Sequence, residues 1–260
     1  MPLKELAERR ALLHQKSDPQ TILRHALEDV QIGDVALVSS FGAESVVLLH
    51  MAAEIDRSVP VLFIETEMLF AETLEYQQQV ADRLGLEDVR IVRPDRAALL
   101  ERDVDGILHL ADTDACCALR KAEPLERALE GFGGWITGRK RYQGGARAAL
   151  PTHEKSGRRI KVNPLARWGR EEVAAYMDAH ALPRHPLVAQ GYPSVGCRPC
   201  TTRVSLGEDV RAGRWRDTAK TECGIHVEDG RMVRPLAAVG ASGGDIFGPK
   251  KRVDRTRRIA

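Results

Sequence analysis

The sequence of 260 residues has no long hydrophobic run, no marked excess of either charge and no even number of cysteines. Its longest apolar stretch, residues 46–53, is broken by His50 and falls far short of the roughly 20 residues that cross a bilayer. No membrane-spanning helix is therefore expected. Lys and Arg total 39 against 37 Asp and Glu, a formal net charge of +2, so the chain as a whole has no pull toward nucleic acid or an anionic membrane. Any basic site has to be local. Residues 1–10 are polar and helix-like, without the apolar core or small-residue cleavage site of an export signal, and the cytoplasm is the expected location. Five cysteines cannot all pair within one chain, and they are too sparse for a small secreted disulfide scaffold. In a reducing compartment, clustered cysteines more often bind metal or do chemistry.

What is present is ample apolar sequence, 43% of residues against 29% charged, for a folded core. After a helical N-terminal segment ending near Val30, residues 35–38 read as a buried strand, 39–45 as a small polar turn and 46–55 as a helix. A second strand at 59–64 and a helix at 70–84 repeat the unit, and further strands follow at 89–92 and 135–137. Strands alternating with helices of this length predict an α/β fold with a parallel sheet flanked by helices. A helix over 171–180 ends before Pro183 and Pro186. Beyond it the pattern degrades, and no internal repeat is visible. Residues 249–260 carry six basic side chains (Lys250, Lys251, Arg252, Arg255, Arg257, Arg258) against Asp254, leaving the rest of the chain close to −3. This basic tail is expected to be disordered.

Three groups of residues carry chemistry. The turn Ser39-Ser40-Phe41-Gly42-Ala43-Glu44-Ser45 leaves a strand and opens a helix, a place where backbone N–H groups and short hydroxyls favour a phosphate or sulfate. It lacks the Gly-Lys-Ser/Thr ending of a Walker loop, and an ordinary strand-to-helix connection with a serine cap is the alternative. The pair Cys116-Cys117 and the turn Cys197-Arg198-Pro199-Cys200 can supply four thiolates. Adjacent cysteines fit a compact zinc tetrahedron awkwardly and an iron–sulfur cube more easily. A redox disulfide at the Cys-X-X-Cys turn and two buried apolar cysteines at the pair remain open. Cys223 is left over, with Lys220 and His226 near it in sequence to favour the thiolate; it is either a nucleophile or a lone buried thiol. Finally, cationic side chains follow a predicted strand end at Gly138-Arg139-Lys140-Arg141-Tyr142-Gln143, and Lys121, Arg203, Arg211 and Arg214 follow the cysteines. Guanidinium forks suit sulfate and phosphate oxygens.

Together the SSFGAES turn (39–45), Cys116-Cys117-Ala118-Leu119-Arg120-Lys121, the Cys197 to Cys200 turn after Ser194-Val195-Gly196, and Glu222-Cys223-Gly224-Ile225-His226 resemble the assimilatory adenylylsulfate reductases. The likeness runs over residues 20–228 in the right order. It implies an adenine-nucleotide alpha-hydrolase-like (PP-loop) fold, a [4Fe-4S] cluster on Cys116, Cys117, Cys197 and Cys200, and adenosine 5′-phosphosulfate (APS) as substrate. It also implies thioredoxin or glutaredoxin as reductant and a homo-oligomer. By the same resemblance Ser39, Phe41, Gly42, Ser45 and Thr66 line the nucleotide pocket, while Arg141, Arg211 and Arg214 hold the phosphosulfate. Lys121 lies near the cluster and substrate, and Cys223 is the catalytic nucleophile on a flexible segment, with His226 beside it. The implied organisation is a nucleotide-binding domain over 1–213, a segment over 214–236 carrying Cys223, and the basic tail over 237–260.

The related reductases of 3′-phospho-APS (PAPS) share the turn and the ECG-x-H ending but generally lack both cysteine pairs, so the pairs point to APS. A tRNA-thiolating enzyme of the same fold is a further alternative, weakened by the absence of its Ser-Gly-Gly-X-Asp-Ser type loop. Two departures stand out. Glu65-Thr66-Glu67 replaces the family's Asp-Thr-Gly, and 34 residues follow His226 where the family ends early.

Overall fold

The computed structural model describes residues 1–216 together with 220, 222, 224, 225, 227, 228, 231 and 232. Cys223, His226 and the tail over 237–260 lie outside the described residues.

The strand-and-helix alternation read from the sequence is present. The N-terminal segment divides into α1 (Leu3–Leu13) and α2 (Pro19–Glu28). The break is set by Asp18, whose carboxylate accepts from Thr21 N–H at 2.9 Å, with Pro19 in the first helical position. Next come β1 (Val35–Ser39), α3 (Ser45–Ile55), β2 (Val61–Ile64), α4 (Ala71–Leu84) and β3 (Val89–Val92). Short helices α5 (Arg96–Arg102), α6 (Leu108–Ala111) and α7 (Thr113–Cys117) lead through a π-helical turn (Ala118–Ala122) into α8 (Glu123–Ala128). The chain continues with β4 (Gly134–Ile136), β5 (His153–Ser156), β6 (Arg159–Val162) and α9 (Arg170–Ala179).

The six strands form one sheet in the order β3-β2-β1-β4-β6-β5. All neighbours are parallel except β5 and β6, so the sheet is mixed at one edge. Side chains alternate between faces along each strand. Leu37, Val61, Phe63 and Ile136 join α1 to α4 and α9 in the larger core, while Ala36, Leu62, Ile64 and Trp135 pack against Leu125 and Leu129 on the other face. β1 lies between β2 and β4, so successive crossovers leave it in opposite directions. In open sheets of this kind the carboxyl ends at such a reversal leave a crevice for ligands. Among the described residues, no helix is long and apolar enough to cross a membrane.

Candidate active site

The polar turn after β1 sits at that crevice. Phe41 adopts a left-handed φ of 46°, and its N–H donates to Ser39 Oγ at 3.1 Å. Ser45 Oγ donates to the Gly42 carbonyl at 2.7 Å, closing the first turn of α3. Opposite, the loop after β4 sends Lys140 inward. Its Nζ is buried and donates to Glu44 Oε2 at 2.9 Å and to the Gly138 carbonyl at 3.1 Å, while Tyr142 Oη donates to Glu44 Oε1. Burial opposes the charge on Glu44, but Lys140 and Tyr142 outweigh it and hold its pKa below the ordinary value. Ser39, Gly42, Ser45, Thr66, Lys121, Thr137, Arg147, Cys197, Arg211 and Arg214 line one cleft of about 220 Å³.

The cysteines converge behind it. Cys116 and Cys117 end α7, whose start is fixed by the Asp112 carboxylate accepting from the N–H groups of Asp114 and Ala115, both at 2.9 Å. The π-turn that follows redirects Arg120 and Lys121; such turns are frequent at functional sites. The Arg120 guanidinium donates to Asp103 Oδ2 at 2.9 and 2.7 Å and to the Thr66 carbonyl at 2.9 Å. Thr66 Oγ1 lies 3.2 Å from Cys197 Sγ, so one buried network ties Cys197 to the segment that bears Cys116 and Cys117.

Cys116, Cys117, Cys197 and Cys200 are all unbridged, so the redox-disulfide alternative is not the state seen. Burial pushes the Cys116 thiol up to about 12, and Cys117, Cys197 and Cys200 add to the rise while Arg120 opposes it. No three His, Cys, Asp or Glu side chains among the described residues are arranged to hold a single metal ion. As a donor set, four neighbouring thiols suit a soft-metal cluster that gives each sulfur its own metal corner.

Cations line the same cleft. Arg211 and Arg214 lie over the Trp215 ring with guanidinium carbons 5.9 and 4.5 Å from its centroid. Arg214 Nη1 donates to the Val195 carbonyl at 3.2 Å. Gly196 makes that approach possible, because a β-carbon there would stand 2.2 Å from Arg214 Nη2. Arg147 joins them from the loop before β5.

A family model described as "Phosphoadenosine phosphosulfate reductase domain" matches residues 34–203. This chain belongs to that family. An "Adenosine 5'-phosphosulfate reductase" of Mesorhizobium japonicum is 51% identical over 209 residues, covering 80% of this chain and 82% of the relative. A "Phosphoadenosine 5'-phosphosulfate reductase" of Gloeobacter violaceus is 40% identical over 214 residues, covering 80% of this chain and 88% of the relative. Among solved structures, the phosphoadenylyl-sulfate reductase of Candida auris in a phosphate complex superposes with a TM-score of 0.65 at 26% identity, over 78% of this chain and 98% of that one. As a member of the family the protein is an enzyme, and its kinship to these reductases supports a role in sulfate reduction.

Within this family fold, two residues expected in the pocket are found elsewhere. The left-handed turn drives the Phe41 ring into the core, edge-on to Phe63 at 5.2 Å, and it does not line the cleft. Arg141 is exposed, with Nε donating to the Leu150 carbonyl at 2.8 Å, and it does not line the cleft that Lys140 enters. Sequence reasoning also missed Glu44, Tyr142, Arg147 and the Arg120–Asp103 pair. The one local signal for Arg147 is the Gly144-Gly145 pair before it, which marks a tight turn.

Proposed function

We propose that this enzyme reduces APS to sulfite and AMP through the thiol of Cys223. The observation that carries the reading is one cleft with two kinds of lining. One is a small polar turn at a helix N-terminus, suited to a nucleotide. The other is the set of cations Lys121, Arg211 and Arg214, suited to a phosphosulfate. The Mesorhizobium relative, at 51% identity, adds the substrate.

In the first step the Cys223 thiolate attacks the sulfur of the sulfuryl group. The S–O bond to the phosphate breaks, and AMP leaves with that electron pair. The arginines and Lys121 neutralise the oxygens of both groups as the bond breaks. The product is an S-sulfocysteine at position 223. A thiolate of thioredoxin or glutaredoxin then attacks Cys223 Sγ, sulfite departs with the S–S electron pair, and the second thiol of the reductant resolves the mixed disulfide. The dithiol supplies the two electrons. His226, close in sequence, favours the thiolate of Cys223.

Cys116, Cys117, Cys197 and Cys200 would hold a [4Fe-4S] cluster, consistent with the donor set they form. When bound, it supplies a fixed block of charge next to Lys121. Incubation with APS and no reductant should add one SO₃ mass to the peptide containing Cys223; label on another cysteine, or none, refutes the mechanism. The family description and the Gloeobacter relative favour a second reading, in which PAPS is the substrate. Sulfite release from APS against PAPS, with thioredoxin present, decides between them.

A further inference from the structure

The geometry points to Arg147 as a positioning residue that holds the segment bearing Cys223 by gripping Glu222. This rests on the proposed thiol chemistry, and its first test does not.

Glu222 immediately precedes Cys223 in the chain. Its two carboxylate oxygens each take a donor from Arg147: Nε to Oε1 at 2.5 Å and Nη2 to Oε2 at 2.6 Å. This is the side-on fork geometry that fixes a carboxylate in direction as well as distance. Arg211 Nη2 approaches the same Oε1 at 3.7 Å. The pair is mostly shielded, with side-chain exposures of 11% and 19%, so water screens it less than an ordinary surface pair.

Arg147 is itself held. Gly144 and Gly145 have φ of 70° and 58°, values that suit glycine, and they form the tight turn in which Arg147 N–H bonds to Gly144 O at 3.1 Å. A third donor, Nη1, goes to Gln143 Oε1. The arginine is thus oriented before Glu222 meets it.

Two further contacts dock the same segment on either side of position 223. Lys220 Nζ donates to Asp114 at the start of α7, the helix that ends in Cys116 and Cys117. Ile225 packs against the smaller core cluster of Ala36, Leu62, Ile64 and Trp135 and lines the cleft. Lys220, Glu222 and Ile225 are therefore tied to the cysteine-bearing helix, to Arg147 and to the apolar sheet face respectively. Of these three ties, the Arg147 fork is the one adjacent to Cys223.

The first test is limited trypsin digestion of the full chain without substrate, scored at Arg216 and Lys220. Arg147→Ala and Glu222→Gln should each speed cleavage there at least about tenfold, a factor equivalent to about 1.4 kcal/mol. Unchanged rates in both variants, with unfolding transitions like the parent's, overturn the grip. The second test is kinetic. Arg147→Ala should lower kcat for sulfite release at least about tenfold, since it misplaces the nucleophile, while the Kd for AMP stays within about twofold. Weakening of AMP binding in parallel with kcat would make Arg147 a substrate ligand and overturn the positioning role. The charge-swapped pair Arg147→Glu/Glu222→Arg should digest more slowly than either single swap, and digestion as fast as the worse single swap counts against the pairing. If the parent protein releases no sulfite from either nucleotide, the proposed function fails, while the digestion result still stands or falls by itself.

Discussion

Asp103→Asn removes the charge facing Arg120 with little change in shape, and it tests whether the cysteine-bearing segment is held by that pair. The two side chains are 6% and 1% exposed. Asp103 Oδ2 receives both Arg120 Nε and Nη2, and Oδ1 receives the Leu108 N–H at 2.8 Å. Asparagine cannot serve all three donors with its single oxygen, and the guanidinium is left buried with a neutral neighbour. Breaking a buried ion pair from one side costs about 3–5 kcal/mol. For a chain of this size each kcal/mol shifts Tm by about 2–4 °C, so the melting point should fall by about 6–20 °C. Thermal melts followed by far-UV circular dichroism measure it. The double variant Arg120→Met/Asp103→Leu should recover most of the loss, because apolar replacement of a buried pair is often neutral or better for stability. A single variant melting within about 2 °C of the parent, below the effect of 1 kcal/mol in such a chain, would refute the reasoning. So would a double variant less stable than the single.

Two other predictions follow from the same structure. Gly196→Ala puts a β-carbon 2.2 Å from Arg214 Nη2 and 2.5 Å from its Cζ; the guanidinium must shift, and kcat/KM for APS should drop at least about tenfold, or about 1.4 kcal/mol, with Tm little changed. An unaltered kcat/KM would show that Arg214 does not act from this position. His185 is buried, and its Nδ1 accepts from the Leu187 N–H at 3.2 Å, so Nε2 carries the proton opposite Thr73 Oγ1 at 3.1 Å. Burial lowers its pKa from 6.5 to about 4. The unfolded chain then binds the extra proton first, so this stability is complete above pH 6.5 and is lost as pH falls toward 4. The contribution is on the order of 3 kcal/mol. Urea midpoints measured between pH 7 and 4 should decline, and the decline should shrink in His185→Leu; an equal decline in both would reject the assignment.

The strands β1 to β3 and the helices α3 and α4 were legible because their apolar residues follow the period of the element and both sheet faces are covered. The edge hairpin of β5 and β6 was not. Its sequences, HEKS and RIKV, carry charges that conventional patterning assigns to solvent. In the fold the charges of β6 are buried by long-range partners: Lys161 Nζ lies 4.5 Å from the Trp135 ring centroid, and Arg159 donates to Leu129 O and to Glu126. A pattern argument sees neighbours in the chain, and these partners are 30 and 33 residues away for Arg159.

The site divides in the same way. The turn over 39–45 and the two cysteine pairs stood out as candidates because residue type and short spacing, which the sequence displays directly, mark them; Cys223 stood out in the same way and lies outside the described residues. The sequence also determined the alternation of strands and helices, and with it the end of the sheet where a ligand would bind. Which cations face that end was decided only by tertiary structure. Lys140 and Arg141 are adjacent and equally basic, yet one is buried against Glu44, 96 residues away, and the other is exposed. Arg147 carries no mark in the sequence beyond its charge and the glycine pair before it, and its partner Glu222 is 75 residues on. The direction of a side chain in a loop is set by hydrogen bonds and ion pairs to distant segments, and these exist only once the chain has folded.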